Sequence, residues 1–245
     1  MVNSSIEVRA RMHAALAEPV RLVIVDQLAL GDASPGELGA VVDLPTNLLA
    51  HHLKALEEAG LVRRVRSEGD RRRSYVQLRW EDADVARLLA AAVAVPAGPV
   101  SRVVFVCTRN SARSQLAAAA WARASRIPVT CAGTRPADRV NPRAVAAGRR
   151  HGLLLGDAGT RHVAETVRPG DLIVAVCDFA HEELVAAPPV AVGTGGPAFG
   201  GRRGWLHWAI PDPVRVDTDD AFETACADIT HRVDRLAGAL AAAPS

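Results

Sequence analysis

The chain has 245 residues, 49% hydrophobic and 23% charged, which allows one or two domains that each bury a core. A formal net charge of +2 excludes any whole-chain argument for nucleic-acid binding. Ser4, Glu7, Arg9 and Arg11 interrupt the start, no apolar run has membrane length, and the cysteines at 107, 131, 177 and 226 are scattered. A secretory signal, a membrane span, a disulfide framework and a zinc cluster are therefore not expected, and a reduced cytoplasmic setting is.

Residues 1–8 read as a loose tail. From about Arg9 to Leu30, Leu16, Val20, Val23, Ile24 and Leu28 recur near helical spacing. Pro19 divides this segment into two helices and sits in the first turn of the second, which Gly31 ends. Ser34-Pro35-Gly36-Glu37 carries a Ser-x-x-Glu capping box and starts a short helix to about Val42. After Leu44-Pro45, Thr46 is the expected cap of a longer helix to Ala59, with Gly60 as its stop. Leu49, Leu53 and Leu56 of that helix face inward, and Asn47, His51, His52 and Lys54 face outward. Adjacent residues on a helix diverge by about a hundred degrees, so His51 and His52 cannot chelate one ion. No metal site is expected.

Leu61–Val65 and Ser74–Leu78 read as two strands around the tip SEGDRRR. Short helices followed by a hairpin make a winged helix-turn-helix. Leu53-Lys54-Ala55-Leu56, Ala59-Gly60-Leu61-Val62 and the arginine-rich wing resemble the DNA-binding domain of arsenical-resistance-type (ArsR-like) repressors over about residues 9–80. Residues 63–79 hold seven arginines against Glu68 and Asp70, a local net of 7 − 2 = +5. That density suits phosphate contacts. The expected DNA-binding residues are Thr46, Asn47, His51, His52 and Lys54 on the recognition helix, and Arg71, Arg72 and Arg73 on the wing. The partner is double-stranded operator DNA. Trp80–Val95 reads as a further helix, of the kind that pairs in a dimer in the resembling family, and a homodimer joined through residues 9–95 is expected. Pro96-Ala97-Gly98-Pro99 marks the boundary: residues 1–95 form the DNA-binding and dimerisation domain, 96–100 a linker, and 101–245 a second domain.

The second domain is organised around Val103–Ser114, VVFVCTRNSARS. Val103–Val106 reads as a buried strand, Cys107 follows, and Gln115–Ala124 reads as a helix. A loop running into a helix N-terminus aims backbone N–H groups at one spot, where a tetrahedral oxyanion binds and a cysteine is held as the thiolate. Arg113 can grip two oxyanion oxygens, Ser114 can donate to the sulfur, and Asn110 tolerates a left-handed backbone. Thr108, Arg109, Asn110, Ser111, Ala112, Arg113 and Ser114 form the expected oxyanion cradle.

Val129–Ala132 then reads as a strand, Asn141–His151 and Asp157–Val167 as helices, and Asp171–Val176 as a buried parallel strand. A helix follows to about Ala186, with Val190–Val192 as a last strand and Asp219–Leu240 as the final helix. This alternation indicates an α/β domain with a doubly wound parallel sheet. Residues 193–201, GTGGPAFGG, lack the Lys-Ser/Thr ending of a nucleotide loop and read as a flexible loop.

The loop of Cys107, Ala132-Gly133-Thr134 and Asp212-Pro213 resemble the low-molecular-weight protein tyrosine phosphatases and the arsenate reductases sharing their fold, over about Ser101–Leu240. Two departures are Arg109, where the family usually has Gly, and Ala112, where it often has Cys. The resemblance assigns the nucleophile to Cys107, the oxyanion clamp to Arg113 and the general acid to Asp212. It also places Cys177 where thioredoxin-coupled reductases carry their second cysteine; their third falls here on Leu184. Val214 stands where the phosphatases often place Tyr. The expected activity is thiol-dependent arsenate reduction with no bound cofactor. Either Cys177 resolves the adduct, or an external reductant such as thioredoxin, mycothiol or glutathione does. A regulator whose second domain only senses an oxyanion, and a tyrosine phosphatase, are the alternatives. Arg109 adds charge at the mouth of the loop, to recruit an anionic thiol or to pair with a neighbour.

Overall fold

A computed structural model describes residues 4–89, 100–155, 159–186, 198–199, 202–203 and 205–242. The chain divides into two compact units, one formed by Met1–Ser67 with Arg71–Ala94 and the other by Glu68–Asp70 with Val95–Ser245. No described helix is long and apolar enough to cross a membrane.

The first unit opens with α1 (Ser4–Leu16) and α2 (Pro19–Leu28), so the helix takes in residues expected to be a loose tail. Met12, on α1, is 2% exposed and joins the core, which is what draws the segment into helical order. Pro19 occupies the first turn of α2, and the Glu18 carboxylate caps it by accepting from the N–H groups of Val20 and Arg21 at 3.2 and 3.0 Å. α2 ends at Leu28 rather than at Gly31. α3 (Pro35–Val42) has the full capping box: Ser34 Oγ accepts from Glu37 N at 3.3 Å, and Glu37 accepts from Ser34 N at 2.7 Å. Asp43 then turns the chain in a left-handed conformation, φ 51°.

α4 (Thr46–Glu58) differs from expectation at its start. Pro45 holds the capping position in an extended conformation, and Thr46 is the first helical residue with no side-chain cap. Leu49, Leu53 and Leu56 of α4 pack with Ile24, Leu28 and Leu38 in the core. Each such leucine contributes about 1.5–3 kcal/mol through burial. β1 (Val62–Arg66) and β2 (Ser74–Leu78) pair antiparallel from Val62↔Leu78 to Arg66↔Ser74. α5 (Ala83–Leu89) begins after Asp82, whose carboxylate accepts from Asp84 N at 2.9 Å, and not at Trp80. The rest of that expected helix, to Val95, and linker residues 96–99 lie outside the described residues.

The second unit is built on a four-stranded parallel sheet of β3 (Val103–Cys107), β4 (Val129–Gly133), β5 (Leu172–Ala175) and β8 (Trp205–His207), in the order β4-β3-β5-β8. α6 (Arg113–Ala124) follows β3, α7 (Pro142–Arg150) follows β4, and α9 (Asp178–Ala186) follows β5. The chain closes with α10 (Pro213–Val216) and α11 (Asp219–Ala241), which packs along α6. Phe105 lies between Trp121 and Trp208, with ring centroids 6.0 and 5.6 Å away, and all three are fully buried. Sheet order changes direction between β3 and β5, and the carboxyl end of β3 opens at that switch point, where open α/β sheets bind ligands.

Two expectations in this unit change, and one strand is added to those expected. The helix expected over Asp157–Val167 shrinks to α8 (Val163–Thr166), because Gly159 turns at φ 68° and His162 caps the short helix. Residues 157 and 158 lie outside the described residues, as does the strand expected at Val190–Val192. The fourth strand is β8, three residues that continue into the apolar run Trp208-Ala209-Ile210. Of the glycine-rich stretch, Ala198–Phe199 (β6) pairs antiparallel with Arg202–Arg203 (β7), and most of the remainder lies outside the described residues.

Candidate active site

Every residue of β3 is buried, and Cys107 at its end is 3% exposed. Its Sγ lies 3.1 Å from Ser114 Oγ and accepts a hydrogen bond from Asn110 N at 3.2 Å. Asn110 is fully buried at φ 49°. Its Nδ2 donates to Ser114 Oγ at 2.9 Å, and its Oδ1 accepts from Arg161 N at 2.8 Å. One asparagine thus fixes the loop turn, the Ser114 hydroxyl and a neighbouring segment, using both ends of its amide.

The outer side of the loop is held by residues 134–141. Thr134 N donates to Cys107 O at 3.2 Å, Arg135 N to Thr108 O at 2.8 Å, Ala137 N to Arg109 O at 2.9 Å, and Asn141 N to Ser111 O at 2.8 Å. A trans peptide points its C=O and the next N–H in opposite directions. Drawing these carbonyls outward therefore turns the following amides inward, where an anion collects them. Gly133 is required for this approach: a Cβ there would lie 2.8 Å from Thr108 O and 2.9 Å from Asn110 N. Gly133→Ala is expected to push the loop off its outer strap and lower activity by about tenfold or more, since angstrom-scale misplacement costs up to about a hundredfold. Steady-state kinetics beside a thermal melt check this; full activity would show that the loop tolerates the shift.

Arg113, the first residue of α6, is 4% exposed. Its Nη1 donates to Ile210 O at 2.9 Å, and its Nη2 lies 2.9 Å from Asp212 Oδ2. Burial works against its charge, but Cys177, Asp212 and Cys107 more than offset that, so its pKa lies above the ordinary guanidinium value. The other oxygen of Asp212 accepts from Val214 N at 3.1 Å, capping α10. A cavity of about 300 Å³ opens over these groups, lined by Cys107, Arg113 and Asp212, with Ala137, Val140, Pro142 and Val214 as apolar wall and Arg109 and Arg139 also on it. The structure therefore brings Cys107, Arg113, Ser114 and Asp212 together.

Cys177 follows β5 and is fully buried. Its sulfur lies 3.4 Å from Thr108 Oγ1 and accepts from Ala180 N at 3.4 Å. Burial pushes this thiol up to about 11, with the nearby Arg113 opposing and Cys107 adding to the shift. It stands beside the loop but does not line the cavity. Sequence reasoning gives no role to Cys131. This residue pairs in register with Phe105, is raised above the ordinary thiol value chiefly by burial, and interacts with Asn110 and Cys107. Sequence reasoning also misses the strap 134–141, whose polar sequence carries no motif, and the Ile210 carbonyl, which any residue type supplies.

On the first unit, Thr46, Asn47, His51 and Lys54 are exposed on α4, as are Arg71, Arg72 and Arg73 near the hairpin tip. His52 is a correction: its side chain is only 11% exposed and its Nδ1 lies 3.2 Å from Glu18 Oε2. It is turned toward the start of α2, not outward. The wing charge is also partly neutralised inside the unit. Arg63 meets Glu81 at 2.6 Å, Arg64 pairs with Glu57, and Arg79 lies 3.8 Å from Glu81. Both glutamates lie outside residues 63–79, the stretch that carries the net +5.

Residues 102–244 match the low molecular weight phosphotyrosine protein phosphatase family, which is more than half of the chain. The chain belongs to that family. Residues 16–65 match a helix-turn-helix domain family, so this phosphatase-family chain is a fusion with a helix-turn-helix domain. The biofilm growth-associated repressor of Agrobacterium fabrum is 37% identical over 86 residues, covering 34% of this chain and 68% of that protein. Among solved structures, the tyrosine phosphatase amsI of Erwinia amylovora covers 59% of this chain and 95% of its own, at 19% identity and a TM-score of 0.49. An arsenate reductase of Archaeoglobus fulgidus covers 56% and 98%, at 27% identity and a TM-score of 0.44.

Proposed function

We propose that the phosphatase-family domain is a thiol-dependent arsenate reductase. The observation that carries this reading is the wall of the cavity over Cys107. Its apolar side is Ala137, Val140, Pro142 and Val214, with no aromatic residue among the described side chains that line it. A phenyl phosphate needs aromatic faces to hold its ring, whereas arsenate needs only the cradle at the floor.

The chemistry divides into two steps. The Cys107 sulfur attacks arsenic while the loop amides and Arg113 hold the oxyanion. Asp212 gives a proton to the departing oxygen, which leaves as water. A second thiolate then attacks the Cys107 sulfur. A sulfur–sulfur bond forms, the sulfur–arsenic bond breaks, and its electron pair stays on arsenic, which leaves as arsenite. Two thiols are oxidised and arsenic is reduced by the same two electrons. Cys177→Ser separates the sources of the second thiol: turnover stops if Cys177 supplies it and continues if an external thiol does. Arsenite formation by the purified full chain, with thioredoxin, mycothiol and glutathione in turn, is the deciding assay. Aryl phosphate hydrolysis without arsenate reduction would establish the phosphatase instead, and oxyanion binding without either reaction would establish a sensor.

The helix-turn-helix domain is proposed to bind operator DNA as a homodimer, through the exposed face of α4 and the wing. Replacing Arg71, Arg72 and Arg73 together with Ala is expected to weaken binding to all sequences alike. It should also lower the slope of log affinity against log salt by about 0.9 for each phosphate that is no longer neutralised. Fluorescence anisotropy across a salt series measures both; an unchanged slope would remove the wing from the interface.

A further inference from the structure

We infer that the mouth of the cavity over Cys107 is a subsite for a small anionic thiol, held through its carboxylate by Arg109 and Arg139. This rests on the arsenate-reductase reading and names the reductant. Three observations carry it. Arg109 and Arg139 both line the cavity, both are exposed, and neither makes an ion pair among the described residues. Arginines nearby are engaged: Arg113 with Asp212, Arg135 with Glu183, and Arg143 with Asp217 and Asp219. Second, the cavity of about 300 Å³ extends from the loop to Arg139, Val140 and Pro142, so the anion cradle at Cys107 is only its floor. There is room above a bound oxyanion for a second molecule.

Third, the internal thiol is badly placed to compete. Cys177 is 0% exposed, does not line the cavity, and is tied by Thr108 and Ala180. Its thiol is pushed up to about 11 by burial, so it stays protonated near neutral pH. A thiol arriving through the mouth meets the Cys107 sulfur directly. A carboxylate on that thiol matches the planar fork of an arginine, which gives orientation as well as charge. The external thiolate attacks the Cys107 sulfur of the arsenic adduct, arsenite leaves with the bond's electron pair, and a mixed disulfide forms. A second molecule of the same thiol attacks the outer sulfur, releasing the small-molecule disulfide and the Cys107 thiolate.

The test compares glutathione, which carries carboxylates, with cysteamine, which carries a cation, as reductants of arsenate by the full chain. The ratio of their kcat/KM values should fall about fivefold in Arg109→Gln or Arg139→Gln and about twentyfold in the double variant, the scale of exposed charge pairs. Arg139→Lys should recover part of the preference, and added salt should erode it. A second measurement is independent of arsenate: the rates at which iodoacetate and iodoacetamide alkylate Cys107, read by peptide mass. Their ratio should fall in the same variants. Arsenate reduction with both ratios unchanged in the double variant would overturn the subsite and leave the reductase standing. No arsenate reduction with any thiol, with the alkylation ratio still falling, would overturn the reductase reading and the thiol with it, leaving an anion-selective mouth.

Discussion

Cys107→Ser is expected to abolish arsenate turnover, by about 10⁴-fold or more, the scale on which nucleophile removal acts. Two separate causes converge. A serine hydroxyl is a far weaker nucleophile than the thiol it replaces. More fundamentally, release of arsenite requires a thiolate to attack the atom bonded to arsenic. Sulfur accepts that attack and passes its electron pair to arsenic, whereas a serine oxygen does not. Fold and anion binding should survive, because Asn110 N and the Ser114 hydroxyl can meet an oxygen where they now meet Sγ at 3.2 and 3.1 Å. Calorimetric titration with arsenate or phosphate, set beside an arsenite assay, measures both halves. Residual turnover within tenfold of wild type would exclude Cys107 as the nucleophile.

The parts legible in the sequence are those whose cause is local. The capping box of Ser34 and Glu37 closes within four residues, and its hydrogen bonds form as the spacing predicts. The segment from β3 through the Cys107 loop into α6 is likewise contiguous. A buried strand, a residue tolerant of positive φ at Asn110 and a following helix make the contacts among Sγ, the Asn110 amide and Ser114 short-range, although the strap 134–141 and Arg161 N also hold the loop. What stays illegible depends on distant partners. The strap 134–141 acts through backbone donors, so its side chains leave no pattern. β8 is three residues long, too short for periodicity to register, and its pairing with Ile173–Ala175 defines it.

The differences on the first unit have the same origin. Helical spacing alone turns His52 outward, yet Glu18 approaches that side of α4 from the start of α2. Charge summed along residues 63–79 omits Glu57 on α4 and Glu81 after β2, each of which folds back onto a wing arginine. Linear windows therefore overstate the charge available to phosphate contacts.

Arg113→Lys should prove nearly as damaging as loss of the nucleophile, although it conserves the charge. The guanidinium performs two tasks at once. Nη1 satisfies the Ile210 carbonyl and Nη2 holds Asp212, each at 2.9 Å, so the clamp and the general acid share one rigid plane. Nη1 also lies 3.6 Å from Glu68 Oε2, while the Nε–H and the second Nη2 hydrogen make no hydrogen bond among the described residues. An ammonium is a single point on a flexible stem: it can satisfy Ile210, Asp212 or the anion, but not all three in one geometry. At a site 4% exposed, water does not replace the missing hydrogen bond without cost. Loss of an oriented donor to a developing charge costs about 10²–10³ in rate. A buried carbonyl left unpaired costs about 1–3 kcal/mol of stability. The expected outcome is a fall of that size in kcat/KM for arsenate together with a lowered thermal midpoint. Asp212→Asn provides the contrast: it removes the proton donor and should slow the loss of water, while anion binding persists because the clamp remains tied to Ile210. Should Arg113→Lys weaken arsenate binding no more than Asp212→Asn does, the fork geometry would not be what holds the oxyanion, and charge alone would suffice.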